Sequence, residues 1–168
     1  MLSSYAFLTE MPLLVVINVS ESQAAAPAEF GWKHAHTVIA LCAETEAQIS
    51  ELEPADRVAF LADLGLSESA KDRLVRACYD AAGLISFLTV GEDEVRAWPI
   101  KKGSDAVTAA GKVHSDIARG FIRAETAAYA DLRAAGDMKA VKAAGKVRLE
   151  GKTYIVQDGD VINFRFNV

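Results

Sequence analysis

The closing run from Gly151 to Val168, GKTYIVQDGDVINFRFNV, constrains the fold more than any other stretch. Tyr154–Val156 and Val161–Val168 are apolar runs separated by Gln157-Asp158-Gly159-Asp160. Asp-Gly between strand formers signals a hairpin, because glycine takes the positive φ of the turn at no steric cost. In the second run Ile162, Phe164, Phe166 and Val168 share one side, while Asn163, Arg165 and Asn167 share the other. That is a period of two with one buried face. A strand of this kind belongs inside a sheet, so the fold is read as sealed by its own last residues.

The residues before this run supply the rest of that sheet. Leu84–Val90 and Glu94–Ile100 read as strands joined through Gly91-Glu92-Asp93. Pro99 marks an edge position or the end of ladder pairing, since proline has no N–H to give. Lys101–Ser104 reads as a turn, Asp105–Ala110 as a short helix and Gly120–Thr126 as a third strand. Tyr129–Ala135 and Asp137–Ala144 read as helices, each closed by a glycine, Gly136 and Gly145. Two strands, a helix and further strands ending in a hairpin predict a small α+β domain of β-grasp type over residues 84–168.

Residues 1–83 follow a different pattern. Leu2–Thr9 has helical spacing. Leu13–Ile17 is an unbroken apolar run suited to a strand buried on both faces. It ends in Asn18-Val19-Ser20-Glu21, at the carboxyl edge where open α/β sheets bind ligands. After an alanine-rich loop (Ser22 to Trp32), His36–Leu41 is a second such strand, followed by Cys42-Ala43-Glu44. From Thr45 the pattern is helical. Pro54 sits in a first turn, Val58, Leu61 and Leu64 share a face, and Gly65 closes the helix. Ser67 or Ser69 caps another helix, with Leu74, Val75, Cys78 and Tyr79 as its buried stripe. The prediction is an incomplete α/β unit. Two parallel strands without covering neighbours must self-associate, pack on the rest of the chain or be marginally stable.

Charge separates the same two parts. The net charge is −5, yet residues 1–83 hold 5 Lys/Arg against 12 Asp/Glu and residues 84–168 hold 13 against 11. A local basic face can meet RNA phosphates even on an acidic protein; ordinary solvated lysines are the alternative reading. No apolar run approaches a membrane span, and the start lacks a basic n-region, so a cytoplasmic chain without a membrane partner is expected. Cys42 and Cys78, on apolar segments, are expected as reduced thiols. There is no G-x-x-x-x-G-K-S/T phosphate loop, no G-x-G-x-x-G and no C-x-x-C. His34 and His36 have no cysteine near them and read as solvent-facing rather than as metal ligands. His114-Ser115-Asp116 contains triad residue types, but three consecutive residues point different ways. Local hydrogen bonding that fixes the loop before the Gly120 strand is the expectation, and no catalytic residue is assigned.

His114-Ser115-Asp116-Ile117-Ala118-Arg119-Gly120-Phe121-Ile122-Arg123-Ala124-Glu125 resembles the signature H-S/T-D-F-x-K/R-G-F-I-R/K-A-E of the YchF-type, Obg-like ATPases. Glu94–Trp98, Lys142–Lys146, Leu149–Lys152, Tyr154–Asp160 and Phe164–Val168 continue the resemblance. Ile117-Ala118 departs from it, since the family usually has Phe followed by an acidic residue. The resemblance implies a C-terminal TGS domain, a ubiquitin-like β-grasp module. It also implies that residues 1–83 are the last part of a P-loop nucleotide-binding domain, in which N-x-x-E replaces the N-K-x-D that selects guanine. Aspartate in N-K-x-D accepts two N–H bonds from guanine, a donor pattern that adenine lacks. By this resemblance ATP is the cofactor, with Mg²⁺ in the full-length family. Asn18 and Glu21 would flank the base, and Cys42, Ala43 and Glu44 would form the base loop.

The phosphate loop and switch segments of that family are not found in these residues. Phosphoryl transfer is almost entirely positioning and electrostatics, so no hydrolysis by this chain alone is expected. The partners implied are the ribosome or another RNA–protein complex, with an N-terminal P-loop half or a second copy as further possibilities. The candidate phosphate contacts are Lys101, Lys102, Lys112, Arg119, Arg123, Lys142, Lys146, Arg148 and Lys152. A β-grasp adaptor for protein partners is the alternative.

Overall fold

The structure is a computed structural model that describes Phe7 and residues 11–24, 37–91 and 94–167. The chain divides into two compact units, Met1–Ala82 and Gly83–Val168. The expected Leu2–Thr9 helix lies, apart from Phe7, outside the described residues, as do His34 and His36.

In the first unit β1 (Leu14–Asn18) pairs in parallel with β2 (Thr37–Leu41), Leu14 opposite Thr37 and Asn18 opposite Leu41. The unit also holds α1 (Glu21–Ala24), α2 (Ala43–Glu51), α3 (Pro54–Asp63) and α4 (Ala70–Ala81), of which α4 packs on both strands. Among the described residues of this unit Cys42, Thr45, Ile49 and Ala70 are buried. The helical stripes are less buried than their period predicts. Val58 is 71% and Val75 51% exposed, and Cys78 is exposed too. Periodicity decides which side of a helix is apolar, but burial needs an opposing surface. Among the described residues, two strands of five residues each offer little of one.

The second unit runs β3 (Leu84–Val90), β4 (Val95–Lys101), α5 (Ala106–Val113), α6 (Ser115–Arg119), β5 (Phe121–Ala128), α7 (Tyr129–Ala135), α8 (Met138–Ala143), β6 (Arg148–Glu150) and β7 (Asp160–Phe166). Its sheet has the order β4-β3-β7-β5-β6. The final strand lies in the interior, antiparallel to β5 and parallel to β3. Pro99 sits on the edge strand β4, as expected.

The expected hairpin between Tyr154–Val156 and the last strand does not form. Ile155 makes only an isolated bridge with Asp105. Gly159 does adopt the positive φ of a turn, 76°, but the turn feeds β7 between two strands from elsewhere in the chain. Its N–H donates to Ser86 O at 2.8 Å, and Asp158 Oδ1 accepts the Ser86 N–H at 2.8 Å. Both edges of β7 are taken by longer strands, and a three-residue neighbour cannot compete with them. Along β7, Ile162 and Phe164 are buried while Asn163 and Arg165 are exposed, so the alternation holds there. Phe166, at the end of the strand, is exposed.

The core fills one side of this sheet. Ala106, Ala109 and Ala110 of α5 are fully buried among Ile85, Phe87, Ile100, Phe121, Ala124, Val156, Ile162 and Phe164. Small side chains on the buried helix face let it approach the sheet closely. Phe164 meets Phe87 and Phe121 edge-on, each at 6.1 Å between ring centroids. The helix starts where Asp105 Oδ1 accepts the Thr108 N–H at 2.8 Å. The stretch expected as a loop after it is α6, opened by His114, whose Nδ1 accepts the Asp116 N–H at 3.2 Å. That is the local role expected of His114.

Candidate nucleotide-base and polyanion sites

Because β1 and β2 run parallel, their carboxyl ends meet at one edge, and this edge gathers the residues implicated in base recognition. Asn18, the last residue of β1, accepts the Ala43 N–H on its Oδ1 at 3.0 Å. Beside it the Val19 N–H donates to Leu41 O at 2.9 Å. Asn18 is thus tied to the start of α2, where Cys42 is the N-cap and Ala43 and Glu44 form the first helical turn rather than the expected loop, and its amide nitrogen remains to donate outward. Glu21 opens the short helix α1, three residues on, and is exposed, as is Glu44. One amide donor beside two carboxylate acceptors is a set that can pair with the polar edge of a base. The Cys42 thiol is buried, and the neighbouring Thr45 hydroxyl and amide draw it below its ordinary value, although that hydroxyl makes no hydrogen bond of good geometry.

Sequence reading missed the residue that locks this edge to the helices. The Glu46 carboxylate accepts the Ala70 N–H at 2.7 Å and the Lys71 N–H at 3.2 Å, so it caps α4 together with Ser69, whose Oγ accepts the Asp72 N–H. A carboxylate at a helix N-terminus is favoured by both the unsatisfied amides and the helix dipole. Only the Ser69 cap could be read locally.

In the second unit the basic candidates separate into groups. Lys101 and Lys112 line one depression of about 440 Å³ with Pro99, Ser104 and Thr108. Lys102 and Lys152 are exposed in turns. Arg119 pairs with Asp116 at 2.9 Å and Lys146 with Asp131 at 2.6 Å. Arg148 is exposed but engaged: it reaches Tyr154 Oη at 2.8 Å, Asp160 Oδ1 at 3.3 Å and Glu150 at 3.1 Å. Asp160 is buried and also accepts the Tyr154 hydroxyl at 2.7 Å, so Arg148 balances a buried carboxylate.

Arg123 and Lys142 both act on Glu125. Glu125 is gripped at 3.0 and 3.1 Å by Arg165, which lies opposite Arg123 in the ladder, and its carboxyl is held below the ordinary range chiefly by that hydrogen bond. Arg165 was absent from the candidates, although its alternation with Asn163 and Asn167 placed it on the outward face. Lys139, one helical turn before Lys142, was also passed over.

Residues 84–167 match the protein-family model described as "YchF-GTPase_C: Protein of unknown function (DUF933)". Over 170 residues the chain is 52% identical to the "Ribosome-binding ATPase YchF" of Bacillus subtilis (strain 168), covering 96% of this chain and 46% of that protein. It is 43% identical over 173 residues to the protein of the same name in Haemophilus influenzae, covering 99% and 48%. The solved structure of the Schizosaccharomyces pombe YchF GTPase matches with a TM-score of 0.84 at 28% identity, over 98% of this chain and 46% of that one. The chain therefore spans about half the length of the curated relatives it matches. By their names these relatives are nucleotide-hydrolysing proteins, and the two bacterial ones bind ribosomes. The chain belongs to the YchF family.

Proposed function

We propose that residues 84–168 are a TGS module of the ubiquitin-like β-grasp type that docks the chain on the ribosome or another RNA–protein particle. The observation that carries this reading is the match of relatives named as ribosome-binding over nearly the whole of this chain, its basic half included. The strand order β4-β3-β7-β5-β6, with β3 and β7 parallel in the interior and α5 across one side, supports the β-grasp assignment. Lys101 and Lys112, brought into one depression, with Lys102 and Lys152 exposed, are the phosphate contacts of this account. Co-sedimentation with ribosomes at low salt tests it. The double variant K101E/K112E should pellet with at least about tenfold lower affinity, since each reversed contact loses a phosphate and adds repulsion. Equal pelleting of the variant would remove these lysines from the account.

Residues 1–83 are, in the same proposal, the closing part of a nucleotide-binding domain. Asn18, Glu21 and the Cys42–Glu44 segment at the start of α2 meet the adenine edge of ATP. They hold no phosphate-binding motif, so the chain by itself does not hydrolyse ATP. Calorimetry should show at most weak ATP binding, because phosphates carry much of nucleotide affinity.

One observation favours a second reading, a protein-binding adaptor. Val95, Leu149 and Ile122 of the second unit are 68%, 61% and 53% exposed. Binding that survives high salt and ignores nuclease treatment supports that reading instead.

A further inference from the structure

The side of the five-stranded sheet turned away from α5 carries a groove that neither reading above uses. Its floor is Val90 at the end of β3, Val161 of β7, and the facing pair Glu125 and Asn163. One wall is α8, through Met138, Lys139 and Lys142, and Val147 completes the lining. The volume is about 300 Å³, at the small end of the range for sites that enclose compact ligands.

The chemistry of the lining is divided. Val90, Met138 and Val147 offer an apolar bed over the buried Val161, and Val90 is 40% exposed, surface that a ligand would cover favourably. Around this bed stand Lys139 and Lys142, three residues apart and so on one side of α8. Glu125 does not cancel them. Its two oxygens are already engaged by Arg165, and Arg123 faces it as well. Three cations, Arg165, Lys142 and Arg123, thus act on one carboxylate whose acceptor positions are largely taken. Asn163 adds an amide that can donate or accept. A cation is repelled here. A fully polar anion leaves the apolar bed wet, and a nucleic-acid backbone meets the lysines without filling the floor.

We propose that this groove binds a small amphipathic anion: an apolar body on Val90, Met138, Val147 and Val161, with one carboxylate or phosphate head between Lys139 and Lys142. The proposal is independent of ribosome docking, which rests on other residues.

Methyl- and amide-resolved NMR of the whole chain tests it, with hexanoate, hexyl phosphate, hexylamine and inorganic phosphate as separate probes. Hexanoate or hexyl phosphate should shift the signals of Val90, Met138, Val147 and Val161 saturably, and the tighter of the two identifies the head group. Hexylamine should leave these signals in place, and inorganic phosphate should bind at least about tenfold more weakly, for want of apolar contact. K139Q/K142Q should weaken the anion by about tenfold or more, the loss of charge-assisted hydrogen bonds, with the rest of the spectrum unchanged. V90W, which fills the groove from its exposed side, should abolish binding. Equal binding of hexylamine and hexanoate, shifts confined to the Lys101 depression, or full affinity in K139Q/K142Q would each overturn the proposal.

Discussion

Gly120 shows how much a single residue can be fixed by a partner far along the chain. A Cβ built there would sit 2.1 Å from Asn167 O and 2.8 Å from its carbonyl carbon, while the Asn167 N–H donates to Gly120 O at 3.0 Å. Its φ of −90° asks nothing special, so the requirement is for space. Gly120→Ala should therefore cost about 1–3 kcal/mol, the range for overpacking, read as a lower urea midpoint of the second unit; an unchanged midpoint contradicts the close approach. The glycine was legible as part of a motif, its reason was not, because Asn167 lies 47 positions on. Tyr154 carries a pH prediction. Burial first, then its hydrogen bond to Asp160, pushes its hydroxyl from 10.0 up to about 12. The folded state favours the protonated form, so the stability this group lends is complete below its ordinary value and is lost as pH rises through that of the fold. Alkaline unfolding should steepen between those two values, and Tyr154→Phe should flatten it. An identical profile in Tyr154→Phe would place the dependence elsewhere.

At the scale of elements, what depends on neighbours in sequence is legible in it. Asp105 and Ser69 cap helices that the polar–apolar pattern announces, and Asp137 does the same for α8 by accepting the Ala140 N–H at 2.7 Å. What depends on distant partners was not legible. The run Tyr154–Val156 resembles a strand, but β3 and β5 occupy both edges of β7. The five-residue α6 has no apolar period to announce it, and its cap is a histidine ring nitrogen, an unusual acceptor for that position. Glu46 is the sharpest case, since it caps a helix that begins 24 residues later. Glu46→Ala should destabilise the first unit by about 0.5–2 kcal/mol, the cost of a lost cap, with less than a tenth of that effect on the second unit by urea unfolding followed in each. An equal loss in both units would show that they do not unfold separately.

For the molecule as a whole, the contrast between the units carries the argument. Among its described residues the first buries a handful of side chains, and Leu13, Val16 and Val58 are exposed. The second closes a continuous core around Phe87, Ile162 and Phe164. Stability should follow: amides of β3, β5 and β7 should exchange far more slowly than those of β1 and β2, and uniform protection would contradict the division. Charge follows the same line, acidic in residues 1–83 and slightly basic beyond, in keeping with the proposed docking of the second half on a polyanion. The sequence made that asymmetry visible but not its geometry, since Arg148, Arg119 and Lys146 proved to be engaged with carboxylates of their own unit. The most direct measurement is the salt dependence of ribosome co-sedimentation by this chain. The account predicts binding near 50 mM salt that falls steeply, by about tenfold or more, on reaching about 200 mM, with a log–log slope reduced by about two in K101E/K112E. Absence of binding at low salt, or binding that does not change across that range, would contradict it.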